Sequence, residues 1–369
     1  SILTGIAIDK NLIPDVNLRI DRLFPEYRGT KWIDGSFEIS LRDVLTMTSG
    51  LHWLAATSGL PLTDRRNDDS ALYRSYDPIR FTLDKDLIAV PGSVYNYSTG
   101  LSVVLGEVIR RKSRMSIEAF SRKYLFDPLG ITDFQWRIFP NGTVDTGGGF
   151  IVRPRDMAKI GYLMLQDGQW NNRPIVSERW VRESTRQHVD QIGVETIAGS
   201  YGYQWHVGER KFNQRTTKAF FAAGLGGQYI FVLPDLDLVA VFNSKHPESD
   251  GVFNGQWVLG KYILPAVLPP PGLRQVFARD PDPVAEYPGE YVNDQWPETL
   301  VVRQRENRIV FVGADGESAP LVADSRDVFY FDSGDFGELQ IIFTRDGTGT
   351  VTGLVGRVGF FGLQFDKVM

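Results

Sequence analysis

A chain of 369 residues is longer than one hydrophobic core usually fills, so two domains are the starting expectation. With 40 basic residues against 45 acidic ones, a net charge of −5 and both signs interspersed, no basic face points to nucleic acid. The absence of cysteine excludes disulfides, thiolate catalysis and cysteine zinc sites, and no apolar run is long enough to cross a bilayer.

The chain opens on Ile2, Leu3, Ile6, Ala7 and Ile8, apolar on nearly every side. This reads as a buried helix ending near Lys10-Asn11, where Asn tolerates the left-handed cap. Chain termini are usually exposed, so the opening predicts a natural polypeptide longer at its N-terminus. The alternative is a short helix capped by Ser1. Ser40-Leu41-Arg42-Asp43 is a capping box in its acidic form, opening a helix that Gly50 terminates. From Leu51 to Pro91 the sequence is long and weakly periodic, with Trp53, the run Asp64-Arg65-Arg66-Asn67-Asp68-Asp69, and Tyr73. Loops of that length are usually functional lids or disordered.

Pro91-Gly92 then leads through Tyr97-Ser98-Thr99-Gly100 into a helix whose Leu101, Val104, Leu105, Val108 and Ile109 share one face. A second helix carries Ile117, Phe120, Tyr124 and Leu125 and closes at Asp127-Pro128-Leu129-Gly130. A third runs from Pro154 to Gly168, and a fourth starts at Ser177. Tyr229–Pro234 and Leu238–Asn243 read as two strands joined by a turn. Leu264-Pro265, Pro269-Pro270-Pro271-Gly272 and Asp280-Pro281-Asp282-Pro283 form a connector expected to be extended, not helical. It divides residues 1–265 from 284–369, with 266–283 as the linker. Beyond it, Leu300–Arg303, Arg308–Val312, Val328–Phe331, Leu339–Phe343 and Val358–Phe361 read as short strands of a small sandwich or barrel.

The search for chemistry begins with absences. There is no Gly-x-Ser-x-Gly elbow, no His-Glu-x-x-His and no phosphate-binding loop. His52, His188, His206 and His246 lack ligand spacing, no lysine has a serine three positions before it, and no metal or cofactor is implied. Two segments remain. Tyr97 ends an extended stretch just before a helix, where its phenol can face a site and a nearby ammonium can lower its pKa for proton transfer. A tyrosine packed at a helix entrance is the plainer alternative. In Ala222-Ala223-Gly224-Leu225-Gly226-Gly227-Gln228, glycines let a strand edge approach a ligand and leave N–H donors unshielded, as an oxyanion hole requires. A Gly-rich turn without chemistry is the alternative there.

Taken together, several stretches resemble the β-lactamase-related serine hydrolases, the superfamily of class C β-lactamases, penicillin-binding proteins, esterases, D-aminopeptidases and nylon-oligomer hydrolases. They are Gly5-Ile6-Ala7-Ile8-Asp9, Leu45 to Leu51, Pro91-Gly92 through Tyr97-Ser98-Thr99, Phe126 to Gly130, Thr146-Gly147-Gly148-Gly149, Pro154 to Lys159 and Gly224 to Gln228, in the family's order across residues 1–265. The resemblance implies an α+β, β-lactamase/transpeptidase-like fold, an antiparallel sheet flanked by helices, followed by a small all-β barrel-like domain. Tyr287-Pro288-Gly289-Glu290-Tyr291 looks similar to appended lipocalin-like barrels.

The resemblance also implies a serine hydrolase that cleaves a small-molecule ester, amide or peptide through an acyl-enzyme. It gives the proton-transfer role to Tyr97, with Thr99 beside it, and the oxyanion N–H to Leu225. Ala222, Gly224, Gly226 and Gln228 then line the substrate. Alanine at 222, where many members carry Lys or His, disfavours β-lactam carboxylate recognition. The family's Ser-x-x-Lys falls just upstream of Ser1, so Ser1 is not the expected nucleophile. Two other readings stand beside this one, a non-catalytic relative binding peptidoglycan-type or acylated ligands, and a C-terminal β module binding a small apolar ligand. The resemblance suits a periplasmic or extracellular setting and leaves the cytoplasm open.

Overall fold

In the computed structural model of the chain, residues 1–35, 37–55, 60–190, 200–212, 215–244, 255, 258–267, 286–293, 296–305, 308–312, 318–325, 327–332, 338–358 and 361–368 are described. They form two compact units, Ser1–Gly255 and Gln256–Met369.

The helices of the first unit are α1 (Ile2–Asp9), α2 (Leu41–Leu45), α3 (Asp68–Arg74), α4 (Pro78–Leu83), α5 (Thr99–Ser113), α6 (Ile117–Ser121), α7 (Pro154–Leu165) and α8 (Glu178–Ser184). α1 is buried through Ile2, Ile6 and Ala7, and Asn11 takes the left-handed φ of 56° expected just beyond its end. A Cβ on Gly5 would fall 2.2 Å from the Trp180 ring, so the glycine is what lets α1 lie against α8. The Ser40–Asp43 capping box is complete, but α2 ends at Leu45, five residues before Gly50. Thr46 turns its hydroxyl back to the Arg42 carbonyl and Met47 adopts φ 59°, which stops the helix without glycine.

Six antiparallel strands make the sheet of this unit: β5 (Val189–Asp190), β6 (Ser200–Tyr201), β7 (His206–Phe212), β8 (Arg215–Gly224), β9 (Gln228–Leu233) and β10 (Leu238–Asn243), ordered β10-β9-β8-β7-β6-β5. Two small pairs precede it, β1 (Phe134–Trp136) with β2 (Phe150–Val152) and β3 (Gln169–Trp170) with β4 (Arg173–Pro174). β9 is buried at every position from Tyr229 to Leu233, as a strand covered on both faces must be. α7 covers one face, its Gly161 so close that a Cβ would meet Val239 at 2.6 Å. The stretch from Leu51 to Pro91 departs from the expected open loop, because α3 and α4 lie within it and tie it to the core through Leu72, Ile79 and Leu83.

The second unit contains a helical run over residues 259–267 and one nine-stranded antiparallel sheet, β11 (Gly289–Asn293), β12 (Trp296–Arg305), β13 (Arg308–Val312), β14 (Ser318–Pro320), β15 (Val322–Ser325), β16 (Val328–Asp332), β17 (Glu338–Arg345), β18 (Val351–Val358) and β19 (Phe361–Lys367). In the order β14-β13-β12-β11-β19-β18-β17-β16-β15 the two edge strands are consecutive in the chain, separated only by Leu321. The sheet therefore curls until its edges approach, around Tyr287, Tyr291, Val302, Phe329, Phe343 and Leu354. Two sequence expectations change. Val358 and Phe361 end and begin adjacent paired strands instead of forming one strand. Leu264–Val267 is helical and continues directly from a π-helical turn over Leu259–Ile263, so Pro265 lies within a helical run. The rest of the Pro-rich linker, residues 268–283, lies outside the described residues, as does His246.

Candidate active site

Tyr97 stands in the extended segment that ends at Ser98 (φ −140°, ψ 117°), and α5 starts at Thr99. The segment is held from several sides. A Cβ on Gly100 would lie 2.7 Å from the Trp53 ring and 2.4 Å from Thr82 Oγ1, so only glycine admits α4 and Trp53 this close to α5. A Cβ on Gly147 would meet Thr99 Cγ2 at 2.6 Å, and one on Gly148 would meet the Tyr73 hydroxyl at 2.8 Å. The Thr146–Gly149 stretch is thus wedged between Thr99 and Tyr73.

A buried carboxylate shapes that wedge. Asp145 is 0% exposed, its Oδ1 accepting from the N–H groups of Gly147 (2.9 Å) and Gly148 (3.1 Å) and its Oδ2 from Arg137 Nε (2.8 Å). The Arg137 guanidinium also lies 4.2 Å from the centre of the Tyr73 ring, a cation–π contact. Burial and the Asp145 carboxylate push the Tyr73 phenol up to about 12. On the other side of Tyr73 sits Asp69, in the first turn of α3. Its carboxylate accepts from Trp53 Nε1 at 3.0 Å. Burial raises its carboxyl above the usual range, the nearby Thr99 hydroxyl and the Trp53 indole oppose the rise, and neighbouring Asp68 adds to it.

Tyr97 itself is partly buried and packed against the core. Desolvation pushes its phenol well above the ordinary value, and Asp69 and Tyr73 add to the effect. The sequence expectation was an ammonium that lowers it. Among the described residues, the groups that add to the shift, Asp69 and Tyr73, are both acidic.

The other predicted element, Ala222 to Gln228, is the end of β8 and its turn into β9. Gly226 (φ 99°) and Gly227 (φ 93°) both require the left-handed region, which glycine enters without strain. Ser244 Oγ donates to the Gly227 carbonyl at 2.9 Å, and Gln228 Nε2 donates to the Ser244 carbonyl at 2.5 Å. The Gln228 amide therefore braces the turn. Ala222 pairs with Ile230, Gly224 pairs with Gln228, and Leu225 is 51% exposed at the tip. The two elements are linked through aromatic rings. The Tyr95 ring lies 5.3 Å from that of Tyr201, the Tyr201 ring lies 5.1 Å from His206, and His206 stacks at 5.1 Å on Phe221, the residue before Ala222.

Beneath α5 there is a cavity of about 240 Å³, bordered by Leu105, Ile109, Phe126 and Phe150, with Ser102 and Thr146 on the side toward Thr99. Ser1 borders it too. The described residues contain no group of His, Asp or Glu that could hold a metal ion, and no helix among them is long and apolar enough to cross a membrane.

Sequence reasoning missed Asp69, Asp145, Tyr201 and the role of Gly147 and Gly148 against the Tyr97 segment. The Thr146–Gly149 run carried a family likeness, but nothing in it told which residues the glycines would face.

Comparison with known proteins follows this geometry. A family model described as Beta-lactamase matches residues 4–261. No curated protein matches the chain. Among solved structures, a protein provisionally assigned as a 6-aminohexanoate-dimer hydrolase from Bacillus anthracis is 20% identical, over 73% of this chain and 72% of that one, with a TM-score of 0.59. The octameric penicillin-binding protein homologue from Pyrococcus abyssi is 15% identical over 99% of this chain and 85% of its own, with a TM-score of 0.51. EstCE1, a hydrolase with promiscuous acyltransferase activity, is 15% identical over 69% and 78%, also at 0.51. At these identities the likeness is one of fold.

Proposed function

Because the chain belongs to the β-lactamase family, we propose that it is a serine hydrolase that cleaves a small ester or amide through an acyl-enzyme. The observation that carries the reading is the close packing of the helix entrance that follows Tyr97-Ser98. Trp53 and Thr82 close on Gly100 and Gly147 closes on Thr99, and a packing tyrosine alone needs no such assembly. Fold likeness by itself would license no reaction. The attacking serine and its lysine are assigned, as the resemblance has them, to residues upstream of Ser1.

In this reading the lysine ammonium beside Tyr97 offsets the acidic neighbours and lets the phenol exchange a proton with the serine and the leaving group. The N–H of Leu225 at the end of β8 serves the oxyanion, with Ala222, Gly224 and Gly226 along the acyl group. Alanine at 222 offers no cation or hydrogen bond to a β-lactam carboxylate. The test uses the natural full-length polypeptide with p-nitrophenyl acetate and nitrocefin side by side. Turnover of the ester with little reaction of nitrocefin is expected. Binding of acylated ligands without turnover of either substrate would replace this reading with a non-catalytic one, which the raised Tyr97 phenol favours.

A further inference from the structure

Asp145 is a fully buried acid that the proposed chemistry does not use. Its two carboxylate oxygens have separate partners. Oδ2 takes the Arg137 guanidinium, with Nε at 2.8 Å. Oδ1 gathers two successive backbone donors, the N–H groups of Gly147 at 2.9 Å and Gly148 at 3.1 Å. The backbone ties the same knot, since the Asp145 N–H donates to the Arg137 carbonyl at 2.8 Å and the Arg137 N–H to the Gly149 carbonyl at 2.7 Å. Residues 146–149 are thereby folded into a short strap anchored on one side chain.

That strap lies along the start of α5. Thr146 Oγ1 donates to the Ser102 carbonyl at 2.7 Å, and a Cβ on Gly106 would fall 2.4 Å from the same oxygen, so glycine there admits Thr146 to the helix. Gly147 abuts Thr99, its missing Cβ 2.6 Å from Cγ2 and 2.9 Å from the carbonyl oxygen. On the far side, a Cβ on Gly148 would meet the Tyr73 hydroxyl at 2.8 Å, and the Arg137 guanidinium lies 4.2 Å from the centre of that ring. The helix start does not hold itself. Ser98 occupies its N-cap, yet the side chain makes no capping bond and its buried Oγ has no partner among the described residues. An uncapped first turn frays unless its neighbours restrain it.

We propose that Asp145 is a positioning residue for the Tyr97 segment, holding the 146–149 strap against the entrance of α5 and so fixing Thr99, two residues after Tyr97. The inference rests on the role proposed for Tyr97. Asp145 does not touch the reacting atoms, and its charge is taken up by Arg137. Its Oδ1 sets the strap, the strap sets Thr99, and Thr99 sets the backbone from which Tyr97 extends.

The experiment compares Asp145→Ala, Asp145→Asn, Thr146→Val and Tyr97→Phe in the full-length protein, with p-nitrophenyl acetate as substrate, at a temperature where circular dichroism shows each variant folded. Asp145→Ala frees both glycine N–H groups and is expected to lower kcat roughly 10- to 100-fold, the scale of a small misplacement at a reacting centre. KM should stay within about threefold, since binding of the small ester is not what changes. Asp145→Asn keeps an oxygen for the two N–H groups but loses the ion pair, so it should melt lower and yet recover most of the parent kcat. If the carboxylate only stabilised the fold, both variants would hydrolyse the ester at the parent rate wherever they are folded. Thr146→Val loosens the strap without touching the carboxylate and should lower kcat about 2- to 10-fold, as the loss of one hydrogen bond allows. Should Asp145→Ala not fold, Thr146→Val decides, and a parent rate in it overturns the route through the strap. Asp145→Asn as slow as Asp145→Ala would move the effect to the ion pair and overturn that route too. If Tyr97→Phe is slow while folded Asp145→Ala is as fast as the parent, the positioning role is wrong and the reading of Tyr97 stands. A fast Tyr97→Phe, or a parent that leaves the ester intact, overturns both.

Discussion

A phenol takes a proton from a serine hydroxyl only when something nearby lowers its pKa, and the described neighbours of Tyr97 raise it. The proposed lysine therefore has a specific task, to reverse a shift that burial, Asp69 and Tyr73 create together. If it does, Tyr97→Phe should slow ester hydrolysis roughly 10²- to 10⁴-fold, the usual scale for positioned proton transfer. The ring is kept, so a thermal melt should show little change, and equal rates for variant and parent would remove Tyr97 from the mechanism. Gly147 makes a separate prediction. Its missing Cβ is 2.6 Å from Thr99 Cγ2 and 2.9 Å from the Thr99 carbonyl oxygen, and backbone cannot swing away as a side chain can. Gly147→Ala should cost about 1–3 kcal/mol of stability, read as a drop in melting temperature, and should slow hydrolysis by displacing Thr99. At this scale the sequence was only half legible. The left-handed glycines at 226 and 227 were legible because turn chemistry acts locally. Asp69 looked like one more acid in the solvated run from Asp64 onward, because its partner Trp53 is chosen by tertiary folding, not by spacing.

Elements that depend on local rules fell where the pattern put them. The Ser40 hydroxyl accepts from the Asp43 N–H while the Asp43 carboxylate accepts from the Ser40 N–H at 2.8 Å, as the sequence box required. Ser40→Ala should lose about 1 kcal/mol, within the range for a removed N-cap, measurable by urea unfolding. The end of α2 was misplaced because Gly50 was taken for the stop, whereas Thr46 and Met47 stop it through a side-chain bond and a left-handed residue that no glycine announces. The segment after α8 gives a pH prediction. His188 stacks on Tyr203 at 4.0 Å, and its Nε2 lies 2.8 Å from the Glu183 carbonyl oxygen. Burial lowers its pKa, Glu183 works against that, and Arg186 and Arg42 reinforce it. A base whose folded pKa is depressed binds protons better when unfolded. Its contribution is complete above the unfolded value, about 6.5, and is lost as pH falls through that value toward the folded one. The unfolding free energy should therefore decline as pH drops below neutrality, and His188→Gln should flatten that decline. An unchanged slope in the variant would assign the acid sensitivity to other groups.

At the scale of the molecule, the two units carry separate cores. One is built on α1, α5 and the six-stranded sheet, the other on Tyr287, Tyr291, Phe329, Phe343 and their neighbours inside the curled nine-stranded sheet. Alternation of short strands after a Pro-rich stretch made the second unit legible as all-β. Its strand order was not, because joining β11 to β19 depends on contacts between the first and last strands, which no local pattern encodes. Separate cores predict separate cooperative transitions, since a unit that buries its own apolar surface can unfold alone. Phe343 is 3% exposed and lies against Tyr287, Tyr291 and Phe329, with ring centres 4.7, 5.8 and 5.6 Å away. Phe343→Ala should cost that unit about 3–5 kcal/mol, the usual loss for a truncated core aromatic. Scanning calorimetry of the full chain should then show one transition shifted down and the other in place, with ester hydrolysis retained between them. Limited proteolysis of the same variant should cut within 266–283 and leave a resistant fragment of the first unit, because few contacts cross a linker of that composition. A single transition that shifts as a whole, with no fragment boundary in that window, would mean that the two cores fold as one cooperative system.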